Sequence, residues 1–279
     1  MTTLNMRTFA AIALALTATS PSLVHAEDKA ETPSDTPAYG WTRAVIGGIA
    51  SRPDFEGSRT SHTELVLGGM ASYRTREHGT FGLGNHGLGW SVDSQDTSFG
   101  IALSGDAGRV DSDDRSSGLA GKRPGSARLA GMGTIASTPV LAVFGSVKLG
   151  GLPLSASLRQ ATGSHKGTLL DLATAIPWRV NPRTTLSLSP SLTWADSRYN
   201  QAYFGVTAEQ AARTGFKAYN AGAGLKGAEL AFGAEVELAK NWQLQGQVKV
   251  ERLMGDAARS PIVERKTQVG TGLVVAYRF

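Results

Sequence analysis

Residues 241–252 read NWQLQGQVKVER, and this stretch decides the fold of the chain. Apolar and polar side chains alternate along it. The apolar set is Trp242, Leu244, Gly246, Val248 and Val250, and the polar set is Asn241, Gln243, Gln245, Gln247, Lys249 and Glu251. Because successive side chains of a β-strand point to opposite faces, the stretch predicts a strand with one apolar face and one wet face.

The same alternation recurs outward from this stretch, for example in residues 228–239 and 152–161. Turn-forming residues such as Gly150-Gly151 and Asn181-Pro182 separate the segments. The pattern predicts twelve strands, at residues 42–50, 63–74, 79–92, 97–107, 136–149, 152–161, 166–177, 183–195, 218–226, 228–239, 241–254 and 267–279. The predicted fold class is therefore all-β.

Two architectures fit twelve alternating strands, a soluble lipocalin-like barrel and a transmembrane antiparallel up-and-down β-barrel. The polar face carries Gln, Glu, Lys and Arg, which suit a wet lumen better than a soluble core. Aromatic residues stand near predicted strand ends, where the girdles of a membrane barrel belong: Trp41, Trp178, Trp194, Trp242 and Tyr277. We expect the membrane barrel.

The chain stops at the end of its last predicted strand. There Val275, Tyr277 and Phe279 share one face, and Phe279 is the last residue. A terminal Phe preceded by apolar or aromatic residues at alternate positions resembles the signal that the barrel-assembly machinery of the outer membrane reads. We assign these three residues to that signal.

Residues 1–26 have the pattern of a secretory signal peptide. Arg7 supplies a positive charge, residues 9–18 are apolar, and Val24-His25-Ala26 predicts cleavage after Ala26. Residues 27–40 are polar and without periodicity, which is typical of a flexible N-terminal lead. The barrel then takes residues 41–279, and its expected location is the outer membrane of a Gram-negative bacterium, in contact with outer-membrane lipid.

Composition excludes several classes. The chain has 279 residues, no Cys and no apolar run of the length that a membrane-spanning helix needs, so disulfide scaffolds, Cys-based metal sites and helical membrane proteins are excluded. Its net charge is +5, but Lys and Arg are scattered singly, which argues against nucleic acid. Two G-x-G-x-x-G matches, from Gly82 and from Gly222, open no helix and predict no nucleotide site.

No residue is marked out for catalysis. The chain lacks a G-x-S-x-G nucleophile elbow, and none of its four His residues after the signal peptide has a second His at metal-ligand spacing. We therefore predict that the protein is not an enzyme, with no catalytic, cofactor-binding or metal-binding residues.

One short helix is expected, inside a long loop. Thr207 and Gln210 form an N-terminal capping box, and Gly215 stands at the position of a C-terminal stop. Five aromatic residues crowd the same loop: Tyr199, Tyr203, Phe204, Phe216 and Tyr219. They predict either a partner-docking surface or plug, or local packing against the barrel mouth, and both alternatives stay open.

Two long motifs and several short ones resemble the MltA-interacting protein family, also called the OmpV family. The long motifs are residues 199–225, YNQAYFGVTAEQAARTGFKAYNAGAGL, and residues 252–263, RLMGDAARSPIV. The short ones are Glu56-Gly57-Ser58, Gly108-Arg109, Leu129-Ala130-Gly131-Met132-Gly133, Trp194-Ala195-Asp196 and the closing Tyr277-Arg278-Phe279. The resemblance covers roughly residues 41–279.

This resemblance implies an outer-membrane β-barrel that acts as a scaffold. The family's namesake holds a membrane-bound lytic transglycosylase and a bifunctional murein synthase in one cell-wall remodelling complex. Other members are described as porin-like channels or surface adhesins, which are the alternative functions. The family has no known catalytic residues. Counting back from a periplasmic Phe279 through the predicted strands puts loops 108–135 and 196–217 in the periplasm, although outer-membrane barrels usually have short periplasmic turns. Either the predicted count is wrong by a strand, or these loops do face the periplasm, which would suit docking of murein enzymes.

Overall fold

The computed structural model describes residues 39–84, 86–113, 117–118, 121–122 and 124–279. The predicted signal peptide and all but the end of the predicted lead lie outside the described residues. The described chain forms a closed antiparallel barrel of twelve strands. The strands are β1 (Gly40–Pro53), β2 (Ser61–Arg74), β3 (Thr80–Gly84), β4 (Gly87–Asp93), β5 (Thr97–Asp106), β6 (Thr138–Leu149), β7 (Leu152–Ala161), β8 (Thr168–Thr174 and Ile176–Asn181), β9 (Thr184–Ala195), β10 (Gly224–Ala239), β11 (Trp242–Leu253) and β12 (Thr267–Arg278).

Each strand pairs with its neighbours in chain order, and β12 pairs with β1 to close the barrel. In that closing ladder Ala44 lies opposite Arg278 and Ser51 lies opposite Thr271. The predicted transmembrane up-and-down barrel of about twelve strands is confirmed. Among the described residues no helix is long and apolar enough to cross a membrane.

The predicted count of twelve is right because two boundary errors compensate. The predicted strand 79–92 is a hairpin, in which Gly84 pairs with Gly87 around a two-residue turn. Gly87 has φ +108°, a backbone conformation that favours glycine, and this allows the chain to reverse there. The predicted strands 218–226 and 228–239 are wrong in the opposite sense, because residues 224–239 form the single strand β10.

The predicted break between strands 218–226 and 228–239, at Lys226-Gly227, is a β-bulge. On β9, Thr193 pairs with Gly227 and the next residue, Trp194, pairs with Leu225, so Lys226 is the extra residue on β10. A bulge reverses the alternation of side chains on its N-terminal side. Lys226 is consequently buried in the barrel, whereas its neighbour Leu225 is exposed on the outer wall.

The outer wall of the barrel is apolar. Large hydrophobic side chains are exposed along most strands, among them Val45, Leu67, Ile101, Leu141, Leu172 and Val248. A continuous exposed apolar wall on a barrel with a polar inner face is the surface of an outer-membrane protein. Aromatic pairs form a girdle at one end, through Trp41–Tyr73, Phe81–Trp90 and Trp242–Tyr277. Of the predicted girdle residues, Trp194 lies at the opposite end.

The two ends of the barrel differ. One end, here called the turn end, carries Phe279 and the short connections 75–79, 94–96, 150–151, 182–183 and 240–241. The other end, the cap end, carries the long connections 54–60, 107–137, 196–223 and 254–266. The count that placed loops 108–135 and 196–217 on the side of Phe279 is therefore wrong, because merging two predicted strands into β10 moves both loops to the cap end.

Candidate functional site: the capped mouth of the barrel

The four long connections pack together into one body over the cap end, here called the cap. It contains the short helices α1 (Ser197–Phe204), α2 (Ala208–Thr214) and α3 (Gly255–Arg259) and a single turn of 3₁₀-helix, Ala127–Leu129. Its side chains form two buried clusters, so the cap has a hydrophobic core of its own.

The first cluster joins α1 and α3 to the barrel wall. Its buried residues are Leu169, Ala195, Tyr199, Tyr203, Phe204, Ala221, Leu253 and Ala257. The second cluster joins all four long connections, through Phe55, Leu129, Met132, Val206 and Ile262. Tyr219 packs against both clusters.

Hydrogen bonds between different connections hold the same body together. Gly125 N donates to Asp54 O at 2.6 Å, and Gln210 Nε2 donates to Met132 O at 2.6 Å. Tyr219 Oη donates to Asp256 O at 2.9 Å, and Ser260 Oγ donates to Phe204 O at 2.5 Å. All four long connections are therefore tied to one another.

The helix predicted around residues 207–213 is confirmed as α2. Thr207 Oγ1 accepts from Gln210 N, while Gln210 Oε1 accepts from Thr207 N, so the predicted capping box is present on both sides. Gly215 ends the helix with φ +74°, in the left-handed region that favours glycine. Helix α1 was not predicted, and its N-cap Asp196 accepts from Tyr199 N at 2.8 Å.

The structure brings the five predicted aromatic residues into the cap. Tyr199, Tyr203 and Phe204 are buried in the first cluster, while Phe216 and Tyr219 are partly buried at the second. This is local packing at the barrel mouth, one of the two alternatives. A direct contact between these side chains and a partner stays a prediction, and it would require the cap to open.

A buried ion cluster lies beneath the cap. Lys226 Nζ donates to Glu56 Oε1 at 2.5 Å and lies 3.7 Å from Glu251 Oε1. The same ammonium lies 5.7 Å from the centre of the Tyr199 ring. Because Glu56 belongs to the β1–β2 loop and Glu251 to β11, Lys226 connects the cap with two parts of the wall. Lys226 was not predicted as a site residue, because the bulge that buries it has no recognisable pattern in the sequence.

A second polar group surrounds Asp106. Tyr203 Oη donates to Asp106 Oδ1 at 2.7 Å, Gly108 N donates to the same oxygen at 2.8 Å, and His165 Nε2 lies 3.1 Å from Asp106 Oδ2. Burial raises the pKa of the Tyr203 hydroxyl, and the nearby Asp106 carboxylate adds to this effect. Tyr203 therefore stays protonated and serves as a hydrogen-bond donor that locks α1 to β5.

Arg109 fixes the other side of α1. Its Nη1 donates to Tyr203 O at 2.6 Å, and its guanidinium lies 6.0 Å from the centre of the Tyr203 ring. The side chain is almost fully buried, and burial lowers the pKa of the guanidinium. Arg109 belongs to the Gly108-Arg109 motif, so this motif serves to anchor the cap.

The inner wall below the cap is lined by paired polar side chains. Lys249 Nζ lies 3.0 Å from Glu229 Oε2, and Arg159 Nη2 lies 2.8 Å from Asp171 Oδ2, in both cases across neighbouring strands. Asp171 also accepts from Thr193 Oγ1 at 2.8 Å. Within the described part of the chain, no three His, Asp or Glu side chains are grouped to hold a metal ion.

The proposed assembly residues stand together at the turn end. Tyr277 lies between Trp242, at 4.9 Å between ring centres, and Phe279, at 5.0 Å. Phe279 is exposed, and Val275 precedes it on the same outer face of β12. Their use as an assembly signal stays a prediction.

We expect the cap to face the outside of the cell, since outer-membrane barrels have short periplasmic turns and longer extracellular loops. Because the chain has no Cys, single substitutions give an unambiguous label. Glu209→Cys on α2 is expected to react with a membrane-impermeant maleimide on intact cells, while Arg183→Cys in a short turn reacts only after the outer membrane is broken. Both positions are exposed. The reverse labelling pattern would place the cap in the periplasm.

Comparisons with known proteins give one family and several distant folds. Three solved outer-membrane proteins are similar: the NanC porin (10% identity, TM-score 0.42, 85% of this chain and 100% of that chain), OmpT of Vibrio cholerae (10%, 0.33, 88% and 99%) and an outer membrane channel of Pseudomonas putida F1 (11%, 0.38, 90% and 100%). A search of curated protein sequences finds no match. The family model described as MltA-interacting protein MipA matches residues 45–279, which is nearly the whole barrel. The chain belongs to the MltA-interacting protein MipA family.

Proposed function

We propose that this outer-membrane barrel is a scaffold that docks a lytic transglycosylase and a bifunctional murein synthase in a cell-wall remodelling complex. The observation that carries the proposal is membership of a family described by its interaction with MltA. The lytic transglycosylase follows from that description, and the murein synthase from the resemblance to the family's namesake.

The cap favours a binding role for this barrel and argues against a wide diffusion pore. Its two buried clusters, and the hydrogen bonds between its connections, place packed side chains over the cap end of the barrel. A wide pore needs an aqueous passage that such packing obstructs. We therefore place the function of this barrel on its surfaces.

Murein enzymes work in the periplasm, so we place the docking surface at the turn end. Loop 196–217 lies at the opposite end from Phe279, so this proposal does not use it as the docking surface. Exposed basic side chains surround the turn end: Arg43, Arg76, Lys148, Arg179, Arg183, Lys240 and Arg278. Fewer acidic ones accompany them, namely Glu77, Asp93, Asp96 and Glu237. This basic rim fits a partner with an acidic surface.

The cap aromatics have a structural role, away from the proposed docking surface. By fixing α1 and α2 they keep the four long connections in one conformation. Two of the five aromatic residues, Phe216 and Tyr219, are only partly buried. That these two bind a partner directly stays a prediction.

A porin-like channel is the second candidate, and the polar inner wall favours it. Side chains such as Lys249 and Arg159 lie on the inner face, each paired with a carboxylate. A channel of this kind would conduct more when the cap opens, whereas enzyme docking at the turn end would not depend on the cap.

The docking proposal is tested with purified enzymes. The refolded barrel is immobilised, and the lytic transglycosylase and the murein synthase of the same bacterium are passed over it. The triple variant Arg76→Glu, Arg183→Glu and Lys240→Glu is expected to weaken binding at least tenfold, because it replaces attraction by repulsion at the rim. Surface plasmon resonance at two salt concentrations measures the change.

The matched control makes the same charge change at the cap, through Arg59→Glu, Arg213→Glu and Lys217→Glu, which are also exposed. It is expected to bind as the unmodified barrel does. Equal weakening by both variants would contradict a docking surface at the turn end, and absence of binding to the unmodified barrel would refute the scaffold.

A further inference from the structure

In the described strands, the outer face of the barrel is charged at its two edges. The charged residues at outward-facing positions are Arg43, near the turn end, and Arg252, near the cap end. On β11 the outward-facing residues between Trp242 and Arg252 are Leu244, Gly246, Val248 and Val250. Arg252 therefore ends the apolar face of its strand, and its side chain is exposed.

Arg252 lies at the depth where the lipid hydrocarbon meets the headgroups. A strand that rises about 3.3 Å per residue at a tilt of about 40° climbs roughly 2.5 Å per residue, so an apolar band about 25 Å tall takes roughly ten residues. Counted from Trp242, in the girdle of the turn end, that band ends at Arg252. Trp194, exposed on the outer wall at the cap end, marks the same interface, because Leu192 and Arg252 both pair with Ala228.

Two further basic residues stand beside Arg252, at the start of the neighbouring strand. Arg252 Nη1 donates to Thr267 Oγ1 of β12 at 3.4 Å, which holds the guanidinium against that strand. Lys266 and Arg265 directly precede Thr267, and Leu253 N donates to Lys266 O at 2.7 Å. Arg252, Arg265 and Lys266 therefore form one group at this edge of the wall, and all three are exposed.

The carboxylates nearest to this group in the sequence are engaged by other cations. Glu251 faces the lumen, where its Oε1 lies 3.7 Å from Lys226 Nζ. Glu264 Oε1 lies 3.1 Å from Arg128 Nε, on the side of the cap. The group therefore presents its positive charges outward, toward the membrane, with these two carboxylates directed elsewhere.

Guanidinium and ammonium groups at this depth meet the phosphates of lipid headgroups. An arginine can bind a phosphate through two parallel hydrogen bonds, and a lysine binds it as a compact charge. Basic clusters beside an apolar membrane segment attract anionic lipids for this reason. We propose that Arg252, Arg265 and Lys266 form a binding site for a lipid headgroup that carries more than one phosphate.

The wall beneath the group favours a lipid over a soluble anion. Val250 and Val269 pair across the ladder of β11 and β12, one step below Arg252 and Thr267. Both valines are exposed on the outer wall. A lipid can place its headgroup on the three cations and its acyl chains along this apolar surface, whereas a soluble anion uses the cations alone.

The number of cations defines the headgroup. Three basic side chains from two strands offer more donors than one phosphate accepts, so a headgroup with two phosphates uses the group more fully. The cap is expected to face the outside of the cell, which makes the ligand a phosphorylated glycolipid of the outer leaflet. This site lies at the opposite end from the proposed docking surface, so either proposal can fail without the other.

Lipid titration of the refolded barrel in detergent tests the site, with native mass spectrometry as the readout. The probe is lipid A with two phosphates, and its control is monophosphoryl lipid A with the same acyl chains. The barrel is expected to bind the probe at least tenfold more tightly. The triple variant Arg252→Gln, Arg265→Gln and Lys266→Gln should abolish this preference. The matched variant Arg76→Gln, Arg183→Gln and Lys240→Gln removes the same charge at the turn end and should keep the preference.

Thermal unfolding gives a second readout, because a ligand that binds the folded state raises the unfolding midpoint. Lipid A with two phosphates is expected to raise the midpoint of the unmodified barrel and of the turn-end variant, but not that of the cap-end variant. Excess inorganic phosphate should leave bound lipid in place. Equal affinity of the unmodified barrel for both lipids, equal loss in both variants, or displacement by inorganic phosphate would overturn the proposal.

Discussion

Phe204→Ala is expected to destabilise the cap by about 3–5 kcal/mol, the usual cost of removing a buried aromatic ring. Phe204 is completely buried at the end of α1, in the cluster that joins the cap to the wall. Its carbonyl also accepts from Ser260 Oγ, so the same residue holds the connection 254–266 in place. The loss of the ring leaves a cavity between α1, α3 and Leu253.

Hydrogen exchange of the amides in α1 and α2 measures this effect, because exchange reports the free energy of local opening. Protection is expected to fall by about a hundredfold or more. Phe216→Ala, which removes the same ring at a partly exposed position, should lower protection far less. Equal effects would mean that the first cluster does not hold the cap. An increase in single-channel conductance of Phe204→Ala would favour the channel over the scaffold.

The barrel itself could be predicted from the sequence because alternation is a local signal. The alternation in residues 241–252 predicts the two faces of β11 without any information about its neighbours, and the structure confirms both faces. The capping box of α2 is local as well, since Thr207 and Gln210 are three residues apart. Signals of this kind survive in one sequence taken alone.

The side on which each loop lies could not be predicted, because it depends on every strand boundary between that loop and Phe279. Lys226-Gly227 resembles a turn, but the pairing of β9 with both sides of it makes it a bulge. That one error placed loop 196–217 at the wrong end. The side of a loop follows from the parity of the strand count, so a single merged strand reverses it.

The burial of the cap aromatics also depended on distant partners. The spacing of Tyr199, Tyr203 and Phe204 fits a helix face, yet the residues that bury this face come from β8, β11 and α3. Polar anchors such as Asp106, 97 residues from Tyr203, leave no pattern in the sequence. Aromatic crowding could therefore indicate an ordered loop without telling a docking surface from a core.

Lys226→Met is expected to cost about 1.5–3 kcal/mol of stability, because it removes the buried cation that two partly exposed carboxylates share. The Lys226 side chain is 6% exposed and lies between Glu56 and Glu251. Methionine fills a similar volume, so the loss is chiefly that of the positive charge. The two carboxylates are then left together beneath the cap, with the Tyr199 ring beside them.

Lys249→Met is the matched control, since Lys249 also pairs with a carboxylate on the neighbouring strand but is 32% exposed. Its expected cost is at most about 1 kcal/mol, as for exposed ion pairs. Urea unfolding of the refolded protein in lipid vesicles measures both, with the fluorescence of its five Trp residues as the probe. Equal costs for the two variants would show that Lys226 is not what ties the cap to the wall.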